Sequence, residues 1–133
     1  MEAKEIVKAY YQAVTDGRFE DILKYKSPDA TYWISGDGSW PLGGWRTPED
    51  MANIHKLLQD RFPKGLTISI RSVVVEGNSA VVHLNNFAVR VDGKIYDNEI
   101  VVLMKLEGGL ITEEREFLDT IHVNDLFFGE MEK

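Results

Sequence analysis

Residues 93–128 read GKIYDNEIVVLMKLEGGLITEEREFLDTIHVNDLFF, and this stretch decides which fold is predicted. Two runs of apolar and β-branched residues flank the pair Gly108-Gly109, a pattern typical of a tight turn between antiparallel strands. The second run ends near Asp119, whose carboxylate stands among large apolar residues in the sequence. That placement predicts either a chemical role for Asp119 or a strand end at the protein surface.

Two further pairs upstream, Gly77-Asn78 and Asp92-Gly93, separate runs of the same composition. Pairs of these types favour two-residue turns in β-hairpins. The second half of the chain is therefore predicted to be a meander of four antiparallel strands. Their predicted ranges are 66–76, 79–91, 94–107 and 110–122.

The first half of the chain is predicted to be mainly helical. Apolar residues in 3–16 recur at the spacing of one helix face, and Gly17 follows as a typical helix end. Thr47 and Pro48 are typical of the start of a longer helix, which the pattern extends to residue 62. Between these helices the sequence predicts a short helix over 19–25, a strand over 30–34 and a loop over 35–46 that carries two tryptophans.

Helices followed by consecutive hairpins predict one α+β domain over residues 1–133, with the helices packed on one face of a curved, mainly antiparallel sheet. The chain has 44% hydrophobic and 28% charged residues, which is ordinary for a globular protein. A length of 133 residues is enough for one core and leaves little room for a second.

Composition also bears on partners and location. A net charge of −7 gives no long-range attraction to nucleic acids or anionic membranes, so neither is expected as a partner. The lack of cysteine excludes disulfides and a cysteine nucleophile, and three histidines without a shared short spacing predict no metal site. No cofactor is expected. Without a signal-peptide pattern or a membrane-length apolar run, the protein is expected to be cytoplasmic.

The turn lengths also predict which residues share a face of the sheet. If each turn has two residues, Asp119 lies opposite Asn98, and Asn98 lies opposite Phe87. One face then combines an apolar floor with converging polar groups, as small-molecule sites do, although a single β-bulge would change these pairs. The polar members are Ser72, His83, Asn85, Asn98, Arg115 and Asp119, and the apolar members are Ile68, Ile70, Phe87, Ile100, Val102 and Phe117.

The same cross-strand pairing places the neighbouring glutamates on the other face of the sheet. Glu114 and Glu116 fall on the opposite face, and together with Glu113 they are predicted to form a solvated charge run. By contrast, a carboxyl group at Asp119 would lose hydration between Phe117 and Ile121, which suits a carboxyl group to proton transfer.

Several stretches together resemble the SnoaL-like and ketosteroid-isomerase-like branch of the NTF2-like superfamily. They are the pair Tyr10-Tyr11, the run DGRFEDILKYKSPDATYW, the segment GWRTPED and the closing EGGLITEEREFLDT. This resemblance covers nearly the whole chain and implies a cone-shaped α+β barrel, a deep apolar pocket and a homodimer. In SnoaL-like polyketide cyclases an acid near the end of the last strand acts as general acid and base, and Asp119 matches that position.

The isomerase part of the resemblance is incomplete. An ungapped match of the opening helices puts the oxyanion tyrosine at Tyr10 and the aspartate base at Ile34, which cannot accept a proton. Steroid isomerisation by that mechanism is therefore not expected. Limonene-epoxide-hydrolase-like chemistry needs an Asp-Arg-Asp set, for which Asp119 and Arg115 supply two candidates and no third is identified.

Two residues are predicted to be catalytic, Asp119 and His83. For Asp119 the alternative is a strand-end acid that only binds a loop, and for His83 it is a structural histidine. Arg115 can bind an anionic group or pair with a nearby acid. The predicted ligand-binding residues are Tyr10, Tyr32, Ile34, Trp40, Trp45, Asn85, Phe87, Asn98, Ile100, Arg115 and Phe117, with Trp40 and Trp45 as a lid or as dimer contacts.

Three functions follow from these residues. The first is a cofactor-free enzyme of cyclase or isomerase type, in which Asp119 moves a proton on a compact apolar carbonyl compound and Asn98, Tyr10 or His83 polarises the oxygen. The second is a non-catalytic protein that binds a small hydrophobic molecule. The third is a dimerisation module, which predicts a filled interior and a large exposed apolar sheet face.

Overall fold

A computed structural model describes residues 1–131 as an α+β fold with one curved, open sheet of six strands. The helices are α1 (Ala3–Thr15), α2 (Phe19–Ile22), α3 (Pro48–Arg61) and α4 (Thr120–Phe128). The strands are β1 (Lys26–Ile34), β2 (Gly44–Arg46), β3 (Thr67–Glu76), β4 (Ser79–Val89), β5 (Ile95–Glu107) and β6 (Leu110–Phe117). Residues 132 and 133, the last two of the predicted domain, lie outside the described residues. None of the helices in the described part is long and apolar enough to cross a membrane.

The sheet has the order β2-β1-β6-β5-β4-β3, and its neighbouring strands are antiparallel except for β1 and β6, which run parallel. The predicted α+β class and the curved, mainly antiparallel sheet are confirmed. The predicted four-strand meander is present as β3 to β6, and β1 and β2 extend it on the β6 side.

The ends of the longer helices are also as predicted. After α1, Gly17 adopts a φ of +70°, the left-handed conformation that favours glycine. At the start of α3, the Asp50 amide donates to the Thr47 hydroxyl at 3.1 Å, and the Thr47 amide donates to the Asp50 carboxylate at 2.9 Å. This reciprocal capping box satisfies two backbone donors that would otherwise have no partner within the helix.

The predicted strand over 110–122 is wrong beyond Phe117, because a helix begins there. The Asp119 carboxylate accepts hydrogen bonds from the amides of Ile121 and His122, both at 3.0 Å, and thereby caps the N-terminus of α4. The predicted short helix over 19–25 ends earlier, at Ile22, and the strand predicted over 30–34 begins earlier, at Lys26. The loop predicted over 35–46 contains β2 at its end.

The predicted pairing of β4 with β5 is shifted by one residue. Their hairpin loop has three residues, since the Arg90 amide donates to the Lys94 carbonyl at 2.8 Å across it. Asn98 therefore lies opposite Asn86 rather than Phe87. Because side chains alternate along a strand, this shift moves every β4 side chain to the face opposite the predicted one.

Two β-bulges change the remaining register. Near the Gly108-Gly109 turn the pairing is as predicted, but Thr112 is an extra residue in β6, so Val102 lies opposite Glu116 instead of Arg115. A second bulge places an extra residue, Arg71, in β3. As a result Glu114 and Glu116 point to the inner face of the sheet, whereas Arg115 and Phe117 point outward.

The inner face of the sheet packs against the helices in two clusters of buried residues. The first joins α1 to the strands β4 to β6, and it contains Ile6, Val7, Tyr10, Tyr11, Ala80, Val82, Leu84, Ile100, Val102, Met104, Leu106 and Ile111. The second joins α3 and α4 to the other end of the sheet, and it contains Ile34, Leu42, Ile54, Phe62, Ala88, Tyr96, Val123, Leu126 and Phe127. Each side chain that lines the cavity described below belongs to one of these two clusters or lies next to one.

A buried cation anchors α4. Arg90 is 1% exposed and forms an ion pair with Asp92 at 2.7 Å, and it also donates to the backbone carbonyls of Asp125, Leu126 and Glu130 at 3.1–3.3 Å. A cation at a helix C-terminus interacts favourably with the carbonyls that have no partner in the helix. Arg90 thus connects the β4–β5 loop to the end of α4.

We expect Arg90→Leu to lower the free energy of unfolding by about 3–5 kcal/mol, because the substitution leaves the buried Asp92 carboxylate without its paired cation. Urea denaturation followed by circular dichroism measures the change. Arg71→Leu is the matched control, since Arg71 lies on the exposed side of β3. Equal, small losses for the two variants would contradict the anchoring role of Arg90.

Candidate functional site

A cavity lies between the inner face of the sheet and the helices, in two adjoining compartments of about 250 Å³ and 120 Å³. Five residues border both compartments: Tyr32, Met51, Leu66, Asn86 and Glu116. Ligand pockets in proteins usually measure roughly 300–1,000 Å³, so the two compartments together suit a compact molecule.

The two compartments differ in their walls. The larger one contains the charged and phenolic groups of Tyr10, Lys26 and Glu114 in addition to aliphatic side chains. The smaller one is mainly apolar and aromatic, with Trp40, Tyr96 and Phe127 among its lining residues. A ligand that occupies both therefore meets a polar end and an apolar end.

Glu114 is a buried charge with a close partner. It is 1% exposed, the Lys26 ammonium lies 2.6 Å from its Oε2, and the Tyr10 hydroxyl donates to the same oxygen at 3.4 Å. The Lys26 ammonium also lies 5.7 Å and 5.4 Å from the ring centroids of Tyr10 and Tyr32. These contacts stabilise a Lys26–Glu114 ion pair on the cavity wall.

Glu116 lies two residues further along β6 on the same face, and its environment is different. It accepts a hydrogen bond from the Tyr32 hydroxyl. Burial raises the pKa of Glu116 to about 7, although the Tyr32 hydrogen bond partly opposes this rise and the charge on Glu114 adds to it. A carboxyl group with this pKa can both accept and donate a proton near neutral pH.

Both tyrosines next to these carboxyl groups stay protonated. Burial raises the pKa of the Tyr10 hydroxyl well above its ordinary value, and the nearby charge of Glu114 adds to the effect. Burial likewise raises the pKa of the Tyr32 hydroxyl, with Glu116 as the next cause. Tyr10 and Tyr32 are therefore hydrogen-bond donors on the cavity wall over the whole neutral pH range.

The parallel pairing of β1 with β6 brings these groups together. Tyr32 lies opposite Glu114 and Ile34 lies opposite Glu116 in that pairing. The following loop places Trp40 in the smaller compartment, where its indole N–H donates to the Ser35 carbonyl at 2.8 Å. Gly36 allows this arrangement, because a Cβ there would lie 2.8 Å from the Trp40 ring.

Five of the predicted ligand-binding residues line the cavity. They are Tyr10, Tyr32, Ile34, Trp40 and Ile100. Their predicted role in ligand binding is compatible with this position and stays a prediction.

Five other predicted ligand-binding residues lie on the outer face of the sheet, and so does His83. The Arg115 guanidinium stacks over Trp45 with 4.9 Å to the ring centroid, and His83 lies 2.6 Å from Glu99. His83, Asn85, Phe87, Arg115 and Phe117 were predicted to share a sheet face with the cavity-lining Ile100. This is wrong, because the three-residue loop reverses the face of β4 and the bulge reverses the face of β6. The five are Trp45, Asn85, Phe87, Arg115 and Phe117.

Asp119 and Asn98 are close, as predicted, but they hold the backbone together at the start of α4. Asn98 is 2% exposed, and its side chain bonds the Asp119 carbonyl and amide, both at 3.1 Å, and the Tyr96 hydroxyl at 3.1 Å. The expected desolvation of the Asp119 side chain is wrong, since Asp119 is exposed and caps α4. A catalytic role for Asp119 stays a prediction.

The interior polar groups that sequence reasoning missed are Lys26, Asn86, Glu114 and Glu116. A signal for the two glutamates was present, because residues 113–116 read EERE and contain no apolar residue. In either register, therefore, β6 must turn charged side chains towards the core at this point. Among residues 1–131, no three side chains of His, Asp or Glu come together closely enough to hold a metal ion.

Comparison with known proteins identifies the family. Residues 7–114 match the SnoaL-like domain, so the chain belongs to the SnoaL-like family. A sequence comparison with curated proteins finds no match.

Solved structures with the same fold have low sequence identity to this chain. A proposed polyketide cyclase from Streptomyces antibioticus is 17% identical, with a TM-score of 0.76 over 95% of this chain and 98% of the other. A proposed hydroxylase from Streptomyces galilaeus is 15% identical, with a TM-score of 0.73 and coverages of 92% and 93%. An NTF2-like protein of unknown function from Burkholderia pseudomallei is 16% identical, with a TM-score of 0.78 and coverages of 94% and 96%.

The raised pKa of Glu116 makes stability depend on pH. The pKa of Glu116 is higher in the folded state than in the unfolded state. The stability that the protonated Glu116 side chain contributes is therefore fully present below pH 4.5 and is lost as pH rises through about 7. We expect Glu116→Gln to remove this fall, which leaves the variant more stable than the wild type above pH 7 by up to about 3 kcal/mol. Urea denaturation at a series of pH values measures it.

Glu107→Gln is the control for this pH dependence, since Glu107 is an exposed carboxylate at the end of β5. It should follow the wild type at every pH. A stability difference between Glu116→Gln and the wild type that does not change with pH would contradict a buried, late-titrating Glu116.

Proposed function

We propose that this protein is an enzyme that transfers a proton at the carbon next to the carbonyl group of a compact, mainly apolar compound. The observation that carries the proposal is the Glu116 carboxyl group, which lies in the cavity beside Tyr32 and has a pKa near 7. Membership of the SnoaL-like family and fold neighbours named as a proposed cyclase and a proposed hydroxylase support an enzymatic role.

In the proposed reaction, ionised Glu116 removes a proton from the carbon. The electron pair of the broken C–H bond forms a carbon–carbon double bond, and negative charge develops on the carbonyl oxygen. In an isomerisation, the protonated Glu116 then returns the proton to another carbon of the same system. In a ring closure, the carbon that lost its proton attacks a second carbonyl group of the same molecule, and Glu116 gives the proton to the oxygen of that group. Every proton and electron pair is accounted for without a cofactor.

The tyrosine hydroxyls supply the second part of the chemistry. Tyr10 is a neutral donor, and its hydrogen bond to Glu114 is long at 3.4 Å, so its hydroxyl can instead donate to the oxygen on which charge develops. Tyr32 remains bonded to Glu116 and orients it. Lys26 forms an ion pair with Glu114, and Glu116 is a carboxyl group whose raised pKa lets its protonation change near neutral pH.

We expect Glu116→Gln to lower the rate of proton exchange by about 100-fold or more, because glutamine cannot accept the proton. Deuterium incorporation next to the carbonyl group of compact cyclic ketones such as cyclohexanone, followed by NMR in D₂O, measures this without knowledge of the natural substrate. The rate of the wild type should rise with pH through an apparent pKa near 7, since the base must be ionised.

The matched variants are Asp119→Asn and His83→Gln. If Asp119→Asn or His83→Gln abolishes exchange and Glu116→Gln does not, Glu116 is not the base. The catalytic role predicted from the sequence for Asp119 or His83 then holds for the residue whose substitution abolishes exchange. If the wild type binds the ketones but exchanges none of them, the proton-transfer proposal fails. The cavity then belongs to a protein that only binds a small hydrophobic ligand.

A second proposal concerns assembly, and the outer face of the sheet supports it. Four large apolar side chains there are 36–48% exposed: Trp45, Val101, Leu103 and Phe117. Val101 lies opposite Phe117, and Trp33 of β1 contacts Phe117 and lies opposite Trp45, so the patch is continuous across the strands. Contiguous exposed apolar patches usually mark an interaction surface. We propose that two copies of the chain pair through this face, while the cavity on the inner face stays available to a ligand.

We expect Leu103→Glu to convert the dimer to a monomer, because it places a charge in the middle of this face. Sedimentation velocity at several protein concentrations measures the state of assembly. Ile121→Glu makes the same change at an exposed position on α4 and should leave the dimer intact. A wild type that is monomeric at high concentration would contradict the proposal.

A further inference from the structure

Asn86 has a polar atom that no protein group in the described residues satisfies. Its side-chain oxygen is buried and lacks a hydrogen-bond partner among residues 1–131. Its two asparagine neighbours in the sheet differ in this respect, since Asn85 donates to Asp97 on the outer face and Asn98 bonds the start of α4. An unpaired buried amide oxygen costs free energy, because it has lost its hydrogen bonds to water.

The position of Asn86 connects this oxygen to the cavity. Asn86 and Glu116 both border both compartments, so each lies where the polar and apolar ends of the cavity join. The other shared lining residues are Tyr32, which already donates to Glu116, and the apolar Met51 and Leu66. Apart from Glu116, which the proposed function assigns to proton transfer, Asn86 is the shared lining residue among residues 1–131 with a side-chain polar atom left for a ligand.

We propose that Asn86 is a specificity-determining residue that binds a hydroxyl group of the ligand. The ligand class is then a compact hydroxylated carbonyl compound, with its hydroxyl at the junction and its apolar part in the smaller compartment. A hydroxyl group complements the asparagine side chain well, since it can donate to the amide oxygen and accept from the amide N–H₂ group. A site built to bond a hydroxyl rejects the analogue that lacks it, because its own polar group stays unpaired.

The assignment of Asn86 to a substrate site rests on the proposed function, but the binding of a hydroxyl group by Asn86 can be tested separately. The probes are phenol and toluene, which have similar shapes and differ by a hydroxyl against a methyl group. Their dissociation constants are measured by NMR titration for the wild type and for Asn86→Leu, with chemical-shift changes at cavity residues to verify the site. We expect Asn86→Leu to weaken phenol binding roughly 3- to 10-fold and to leave toluene binding unchanged or tighter.

Asn85→Leu is the matched control, because it makes the same change one residue away on the outer face. It should alter binding of neither probe. Binding of both probes to Asn86→Ala is measured in parallel, because this substitution only removes atoms. The test then still applies if Asn86→Leu does not fold. Equal losses for phenol and toluene, or no loss for either, would overturn the proposal, and so would a phenol-specific loss in Asn85→Leu.

The proton-exchange rate of Glu116→Gln, compared with the phenol and toluene titrations of Asn86→Leu, separates this inference from the proposed function. If Glu116→Gln retains full proton exchange while Asn86→Leu loses phenol selectivity, the proposed reaction fails and the hydroxyl subsite stands. If Glu116→Gln abolishes exchange while Asn86→Leu keeps phenol selectivity, the reaction stands and the hydroxyl subsite fails.

Discussion

The ion pair between Lys26 and Glu114 is the interaction on which the interior of this protein depends. Two carboxyl groups face the core from neighbouring inward positions of β6, and two buried negative charges would repel each other at great cost. Lys26 lies 2.6 Å from Glu114 and compensates that charge, whereas the direct side-chain partner of Glu116 among residues 1–131 is the neutral Tyr32 hydroxyl. Burial raises the pKa of Glu116 to about 7.

The inward direction of both glutamates follows from one extra residue. Thr112 forms the bulge in β6, and its hydroxyl donates to the Lys105 carbonyl at 3.2 Å. Without the bulge, the alternation of the strand would turn Arg115 and Phe117 inward and expose both glutamates. The candidate site and the apolar outer face are therefore two consequences of the same local irregularity.

The far end of the cavity depends on polar contacts made by buried side chains. Asn98 fixes the first residue of α4, and Arg90 binds carbonyls near its last turn. With both ends held, the apolar side of α4 closes the smaller compartment through Val123 and Phe127. Asn98 and Asp119 were expected to work on a ligand, but the contacts that they make in the structure organise the wall of the cavity.

The sequence by itself determined the fold class, the helix ends at Gly17 and Thr47 and two of the three hairpin turns, because these depend on residues close together in the chain. It could not determine the faces of β4 and β6. A third residue in the β4–β5 loop and the Thr112 bulge are fixed by long-range packing, and each reverses the faces of a whole strand segment. Only the tertiary structure, which brings Lys26 and Tyr32 of β1 beside β6, decided that Glu114 and Glu116 face the cavity instead of solvent. The groups that bind them are more than eighty residues away in the sequence.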